Sequence, residues 1–256
     1  MKRLTPPAIT SLLLTLMMIG VAQAEDVETR FLIPGKPIFE ADFDDGKNPQ
    51  KPFWQLRKSA WVVKDGVLRG SNLDGNGPFI RLRGKETGGP LPENYVMKFS
   101  FKTEPDPQTT SKKKTHETLS MGNRFSFGHY AAKYQWRIDV GMDLAIGHGH
   151  AIQDERYRVT KGVWRRVTAE IRGDEILVWF KDGPAYYMRH DHFRSKPAGW
   201  EFFPHVTEVG YLDDLKVWDL AEGARPGWDE TLKKIIAENR AFLSSERPDF
   251  KIAKDK

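Results

Sequence analysis

The stretch from Gly162 to Gly183, GVWRRVTAEIRGDEILVWFKDG, constrains the fold of this chain more than any other. Trp164, Val167, Ala169 and Ile171 supply the apolar positions of its first half. In its second half Ile176, Val178 and Phe180 alternate with Leu177, Trp179 and Lys181. Two short runs with a period near two predict a pair of strands. Between them lie Arg172-Gly173-Asp174-Glu175, with a glycine where a tight hairpin turn needs positive φ. Asp182-Gly183 marks the next turn.

Similar signals recur along the chain. Ile38 to Phe43 reads as a first strand, ended by Asp44-Asp45-Gly46. Ala60 to Lys64 and Val67 to Gly70 flank Asp65-Gly66, a strong hairpin signal. Tyr95 to Lys102 alternates as a long strand, and Phe79 to Leu82, Arg124 to Phe127, Tyr134 to Val140, Ala185 to His190 and Val209 to Trp218 read as further strands. Phe193 to Pro204 is expected to be a loop carrying Trp200, Phe202 and Phe203. Thr103 to Ser120, with Pro105, Pro107 and Lys112-Lys113-Lys114, is expected to be a surface excursion. From Pro226 to Ser245 the period changes: Trp228, Leu232, Ile235, Ile236 and Leu243 fall on one helical stripe, with Asp229 and Glu230 in the first turn.

Residues 1–24 carry a basic start (Lys2, Arg3), an apolar stretch from Ile9 to Val21 and the small-residue site Ala22-Gln23-Ala24, the pattern of a cleaved signal peptide. The expected organisation is a signal peptide over 1–24, an exposed lead-in over 25–37, a sandwich over 38–220, and a C-terminal helix with a charged tail over 221–256. The chain has no cysteine, which excludes disulfides and thiolate metal sites. Loss of Lys2 and Arg3 with the leader lowers the formal charge from +5 to +3, a mildly basic protein whose scattered cations do not predict nucleic-acid binding. No other stretch approaches membrane-spanning length, so no stable membrane span is expected after cleavage. Export to the periplasm or beyond is the expectation that the leader carries.

The order of a Gly-x-Trp strand, a Gly-Asp turn, a strand ending in Asp-Gly and a late Asp213-Asp214-Leu215-Lys216-Val217-Trp218 strand resembles laminin-G-like and concanavalin-like jelly rolls. With the opening Phe43-Asp44-Asp45-Gly46 and the run from Trp61 to Gly70, it is similar to the 3-keto-disaccharide hydrolase-type domain of secreted bacterial proteins, over most of Ile38 to Leu220. The resemblance implies an all-β, two-sheet antiparallel jelly-roll sandwich and a saccharide partner. That family tends to show Tyr-Glu-x-Gln-Ile where this chain has Tyr134-Gln135-Trp136-Arg137-Ile138, which leaves Asp139 as the carboxylate of the strand. The Glu-x-Asp-x-x-Glu motif of family 16 glucanases is absent; Glu40, Asp42 and Asp45 make the one near match, ending in Asp.

Strand spacing puts Gln135, Arg137 and Asp139 on one side, where they read either as a sugar-binding row or as a solvated face with an ordinary ion pair. Trp54, Trp136 and Trp200 are candidate platforms for stacking on pyranose rings, whereas Trp61, Trp164, Trp179 and Trp218 sit in strand patterns and are expected in the core. His148/His150 and His190/His192 form two H-x-H pairs, which either ligate a metal or lie in loops. Asp42 near the start and Asp214 near the end suit a structural Ca²⁺ if the first and last strands pair; turn chemistry is the alternative. Three functions stand as expectations: a glycan-binding domain, a saccharide hydrolase or lyase using Asp139 as its catalytic carboxylate together with a histidine pair, with or without a metal, or a structural envelope protein without a small ligand.

Overall fold

The computed structural model describes residues 27–56, 61–71, 79–105, 107, 125–131, 134–135, 137–140, 143–146, 150–152, 162–189, 197–204 and 208–246. Its first strands are β1 (Leu32–Ala41), β2 (Trp54–Leu56), β3 (Trp61–Lys64), β4 (Val67–Ser71), β5 (Ile80–Arg83) and β6 (Tyr95–Pro105). Then come β7 (Phe125–Ala131), β8 (Tyr134–Gln135), β9 (Arg137–Val140), β10 (Asp143–Ile146) and β11 (His150–Ile152). The last are β12 (Arg165–Arg172), β13 (Glu175–Phe180), β14 (Ala185–Arg189), β15 (Pro197–Pro204) and β16 (Glu208–Ala224), succeeded by the helix α1 (Trp228–Glu246).

The strands make the two-sheet antiparallel sandwich that the sequence predicts. The first sheet runs β14-β13-β12-β6-β16-β4-β3, with β1 also paired to β16; the second runs β11-β10-β9-β7-β15-β5-β2, with β8 on β7. Local chemistry fixes the turns. Asp65 and Gly66 take φ of 54° and 75°, and Gly173 takes 57° between β12 and β13. Gly70 is demanded by packing, because a Cβ there would lie 2.5 Å from ring carbons of Trp61, its partner in the β3–β4 register.

The core lies between the sheets. Phe99, Phe101, Val167, Ile171, Val178 and Leu212 of the first sheet meet Trp54, Ile80, Leu82, Trp200 and Phe202 of the second. Each such side chain contributes about 1.5–3 kcal/mol when fully buried. β13 is buried on both sides: Ile176, Val178 and Phe180 face this core, while Leu177 and Trp179 join a second cluster on the outer face of the first sheet.

That second cluster corrects the expectation of an exposed lead-in. Val27, Phe31 and Leu32 are buried, and together with Trp228 and Ile235 of α1 they cover Val96, Leu177, Trp179, Ala185 and Trp218. The lead-in is a strap, needed because this sheet presents large apolar residues on both faces. Glu170 of β12 pins it. Although 0% exposed, its carboxylate accepts hydrogen bonds from the backbone N–H of Arg30 (2.9 Å), Phe31 (2.9 Å) and Leu32 (2.6 Å) and from Trp179 Nε1 (2.8 Å). Burial pushes this carboxyl above its ordinary value while the four donors pull the other way. Phe31 stacks on Trp228 at 4.3 Å, and Arg225 N–H donates to the Phe31 carbonyl at 2.8 Å, so both ends of the described chain meet on this face.

Phe193 to Pro204 also differs from expectation, because Pro197–Pro204 is the strand β15, between β7 and β5. Trp200 and Phe202 alternate into the core, an apolar pattern framed by Pro197 and Pro204, residues that read as loop.

Candidate functional site

The outer face of the second sheet carries a bonded polar row. In β5, Ile80 and Leu82 point into the core, which turns Arg81 outward; Trp200 and Phe202 do the same for Glu201 in β15. Arg81 stands opposite both Glu201 and Gln55 in the register. Its Nε donates to Glu201 Oε1 at 2.8 Å, a second guanidinium nitrogen bonds the same oxygen, and a third reaches Gln55 Oε1 at 3.1 Å. The pair is well shielded, with side chains 14% and 10% exposed.

Gln135, Arg137 and Asp139 belong to the same sheet. β7 lies between β15 and β9, with Glu201 opposite Gly128 and Asp139 opposite Ser126. Carried two residues along β7, that register sets Arg137 beside Gly128, and Gln135 of β8 pairs with Tyr130. The backbone thus lines up Gln55, Arg81, Glu201, Gly128 and Arg137 across five strands. For Gln135, Arg137 and Asp139 the description is one of backbone and register alone. Glu201 escapes sequence reasoning because the prolines around it assign its segment to a loop.

The tryptophans exchange roles. Trp54 and Trp200, expected as stacking platforms, are 4% and 0% exposed, so neither ring face is open to a sugar. Both sit at core-facing strand positions, where ring burial outweighs any surface use. Trp164, expected in the core, precedes β12 and is 39% exposed. Trp136 lies outside the described residues.

His148, His190 and His192 likewise lie outside the described residues; His150 pairs with Ile146 at the start of β11. Neither H-x-H pair is therefore described as a pair.

β1 does pair with β16, with Ala41 opposite Leu215, which brings the two acidic ends near one another. At the Asp213–Lys216 register shift, β16 leaves β4 as its neighbour and takes β1, and Asp214 adopts φ 51° in this bulge. Asp42 Oδ1 accepts from Asp44 N–H at 3.2 Å, Asp214 Oδ2 from Ser100 Oγ at 2.9 Å, and Asp213 Oδ1 from Asp214 N–H at 2.8 Å. Burial first, and then the charges of Asp214, Asp44 and Asp42, raise the Asp213 carboxyl above its ordinary value. Among the described residues no three His, Cys, Asp or Glu side chains group as a metal-ligand set. Among the described residues, no helix is long and apolar enough to cross a membrane.

No family model matches this chain, and no curated protein matches it. Solved structures do. One from Parabacteroides distasonis, described as a candidate glycosyl hydrolase, has 12% identity over 70% of this chain and 93% of its own, with a TM-score of 0.46. A family 7 alginate lyase has 12% identity over 71% and 99%, with a TM-score of 0.44. A non-specific endo-β-1,3(4)-glucanase of family GH16 has 9% identity over 78% and 98%, with a TM-score of 0.47. The likeness is one of overall form, and the function of this chain has to be sought in its own residues.

Proposed function

We propose that this chain is an exported glycan-binding sandwich domain whose ligand lies on the outer face of the second sheet. The observation that carries the reading is the row Gln55–Arg81–Glu201, bonded side chain to side chain and aligned through Gly128 with the strand of Arg137 and Asp139. Vicinal sugar hydroxyls donate and accept at once, and carboxylate, guanidinium and amide groups set side by side answer both needs. Gly128 puts no side chain between the two halves of the row, a gap about two strand spacings, or ~10 Å, wide. The similarity to 3-keto-disaccharide hydrolase-type domains points to the same ligand class, and the leader-like residues 1–24 point to a site outside the cytoplasm.

A second reading, a saccharide hydrolase or lyase, is favoured by one observation: Glu201 supplies the second carboxylate that the Asp139 strand lacks, two strands away across β7. Arg81 engages Glu201 through its guanidinium, so Asp139 would take the proton-transferring role. A calorimetric screen against an oligosaccharide panel, with product analysis of each hit, separates the two. Saccharide binding that Glu201→Gln and Asp139→Ala weaken, without product, supports the binding domain. Product formation that Asp139→Ala abolishes moves the conclusion to the enzyme, and silence across the panel refutes both.

A further inference from the structure

The opposite side of the sandwich holds a cleft of about 510 Å³ that takes no part in the polar row of the second sheet. It opens on the outer face of the first sheet, beyond the end of that face covered by the strap and α1. Its floor is Ser100 of β6. Arg166 of β12 and Asp213 of β16 both stand opposite Ser100 in the register, one on each side. Arg165 and Lys181 extend the cationic wall, Asp214 and Asp182 supply further carboxylates, and Trp164 stands at the rim.

We propose that this cleft is a second saccharide site, selective for neutral pyranose units, with Trp164 as its stacking platform. Three features carry the proposal. Trp164 is 39% exposed, whereas Trp54, Trp61, Trp179, Trp200, Trp218 and Trp228 are all buried. A ring face open at a cleft mouth suits the C–H face of a pyranose. The lining carries three cations and three carboxylates, so a polyanionic or polycationic ligand meets repulsion from one wall, while hydroxyls are served by both. The bulge at Asp213–Asp214 turns two successive carboxylates toward the cleft, and Ser100 Oγ fixes one of them by donating to Asp214 Oδ2. Lys102 Nζ lies over the Trp164 ring at 5.4 Å from its centroid and over the Tyr211 ring at 4.4 Å, with its charge met by Glu104 at 2.7 Å.

The site is geometrically separate from the second-sheet face, and only the choice of ligand class is shared with it. Titration calorimetry of the chain from Glu25 onward distinguishes the two, using neutral gluco- and manno-oligosaccharides, a uronic-acid oligosaccharide, and the variants Trp164→Ala, Asp213→Asn and Asp139→Ala. The proposal expects neutral oligosaccharides to bind, with one binding phase weakened about tenfold or more by Trp164→Ala and Asp213→Asn; any phase that Asp139→Ala weakens belongs to the second-sheet face and does not respond to those two variants. Circular dichroism confirms that each variant is folded, and Trp164 lies outside both apolar clusters. Loss confined to Asp139→Ala overturns this site and leaves the second-sheet reading standing. Tighter binding of the acidic oligosaccharide, or no binding of neutral ones at millimolar concentration, also overturns it.

Discussion

Truncating Glu170 to alanine tests how the strap is held. Four donors converge on this one carboxylate, which is 0% exposed. A buried donor left without a partner costs about 1–3 kcal/mol, so four would cost up to roughly 12 kcal/mol if nothing moved. The strap can move. Lifting it lets water reach the stranded N–H groups and returns ~1–2 kcal/mol of chain entropy per residue, but it uncovers Val27, Phe31 and Leu32, each contributing about 1.5–3 kcal/mol when buried. The cheaper route sets the loss, and we place it at about 3–5 kcal/mol, equivalent to roughly two of the four donors left without a partner. At ~2–4 °C per kcal/mol for a chain of this size, the unfolding midpoint drops by roughly 6–20 °C. Thermal and urea unfolding give the magnitude, and amide hydrogen exchange gives the location, with the Arg30, Phe31 and Leu32 amides losing protection first. A loss below about 1 kcal/mol with those amides still protected refutes the clamp.

Gly70→Ala forces a Cβ to within 2.5 Å of the Trp61 ring and should destabilise by about 1–3 kcal/mol in urea unfolding; an unchanged midpoint would mean that Trp61 yields freely. Arg81→Met leaves the Glu201 carboxylate uncompensated in a shielded place and should cost about 3–5 kcal/mol. The double variant Arg81→Met/Glu201→Leu should recover much of that, and strictly additive losses would contradict a coupled pair. For Asp213, burial and three neighbouring carboxylates raise the folded-state value, so the folded chain holds this proton more tightly than the unfolded one. The stability tied to that proton is present below the unfolded carboxylate range and is lost as pH rises through the folded value. Asp213→Asn should therefore melt higher than the parent at neutral pH, with the gap closing on acidification toward about pH 4; a gap independent of pH is the contrary result.

Hairpins were the most legible part of the chain, because Asp65-Gly66 and Arg172-Gly173 are local signals with a local cause in backbone torsion. The helix was legible for the same kind of reason, since Trp228, Leu232 and Ile235 repeat at helical spacing and its Trp228 and Ile235 are buried. What failed was the question of which side of a strand is covered. Alternation separates two faces but does not say that both faces of β13 are buried, nor that Val27 and Phe31 come back to cover one of them. The tryptophans suffered from the same gap. Trp200 lay between prolines and read as loop, whereas Trp164 stood just ahead of a strand pattern and read as core. The site fared worst, because Ser100, Arg166 and Asp213 come from strands far apart in sequence and meet through register alone.

β16 lies inside the first sheet, with β6 on one edge and β4 and then β1 on the other, yet it is the last of the described strands. During synthesis β4 and β6 emerge long before the strand that joins them. Until residues 208–224 appear, both keep an unpaired edge and the strap has no complete surface to cover. The order of emergence thus opposes stepwise folding from the N-terminus and delays completion of the first sheet until residues 208–224 have emerged. A chain cut before Glu208 would split the first sheet into β14-β13-β12-β6 and β4-β3, and the bared edges of β6 and β4 would invite pairing between copies.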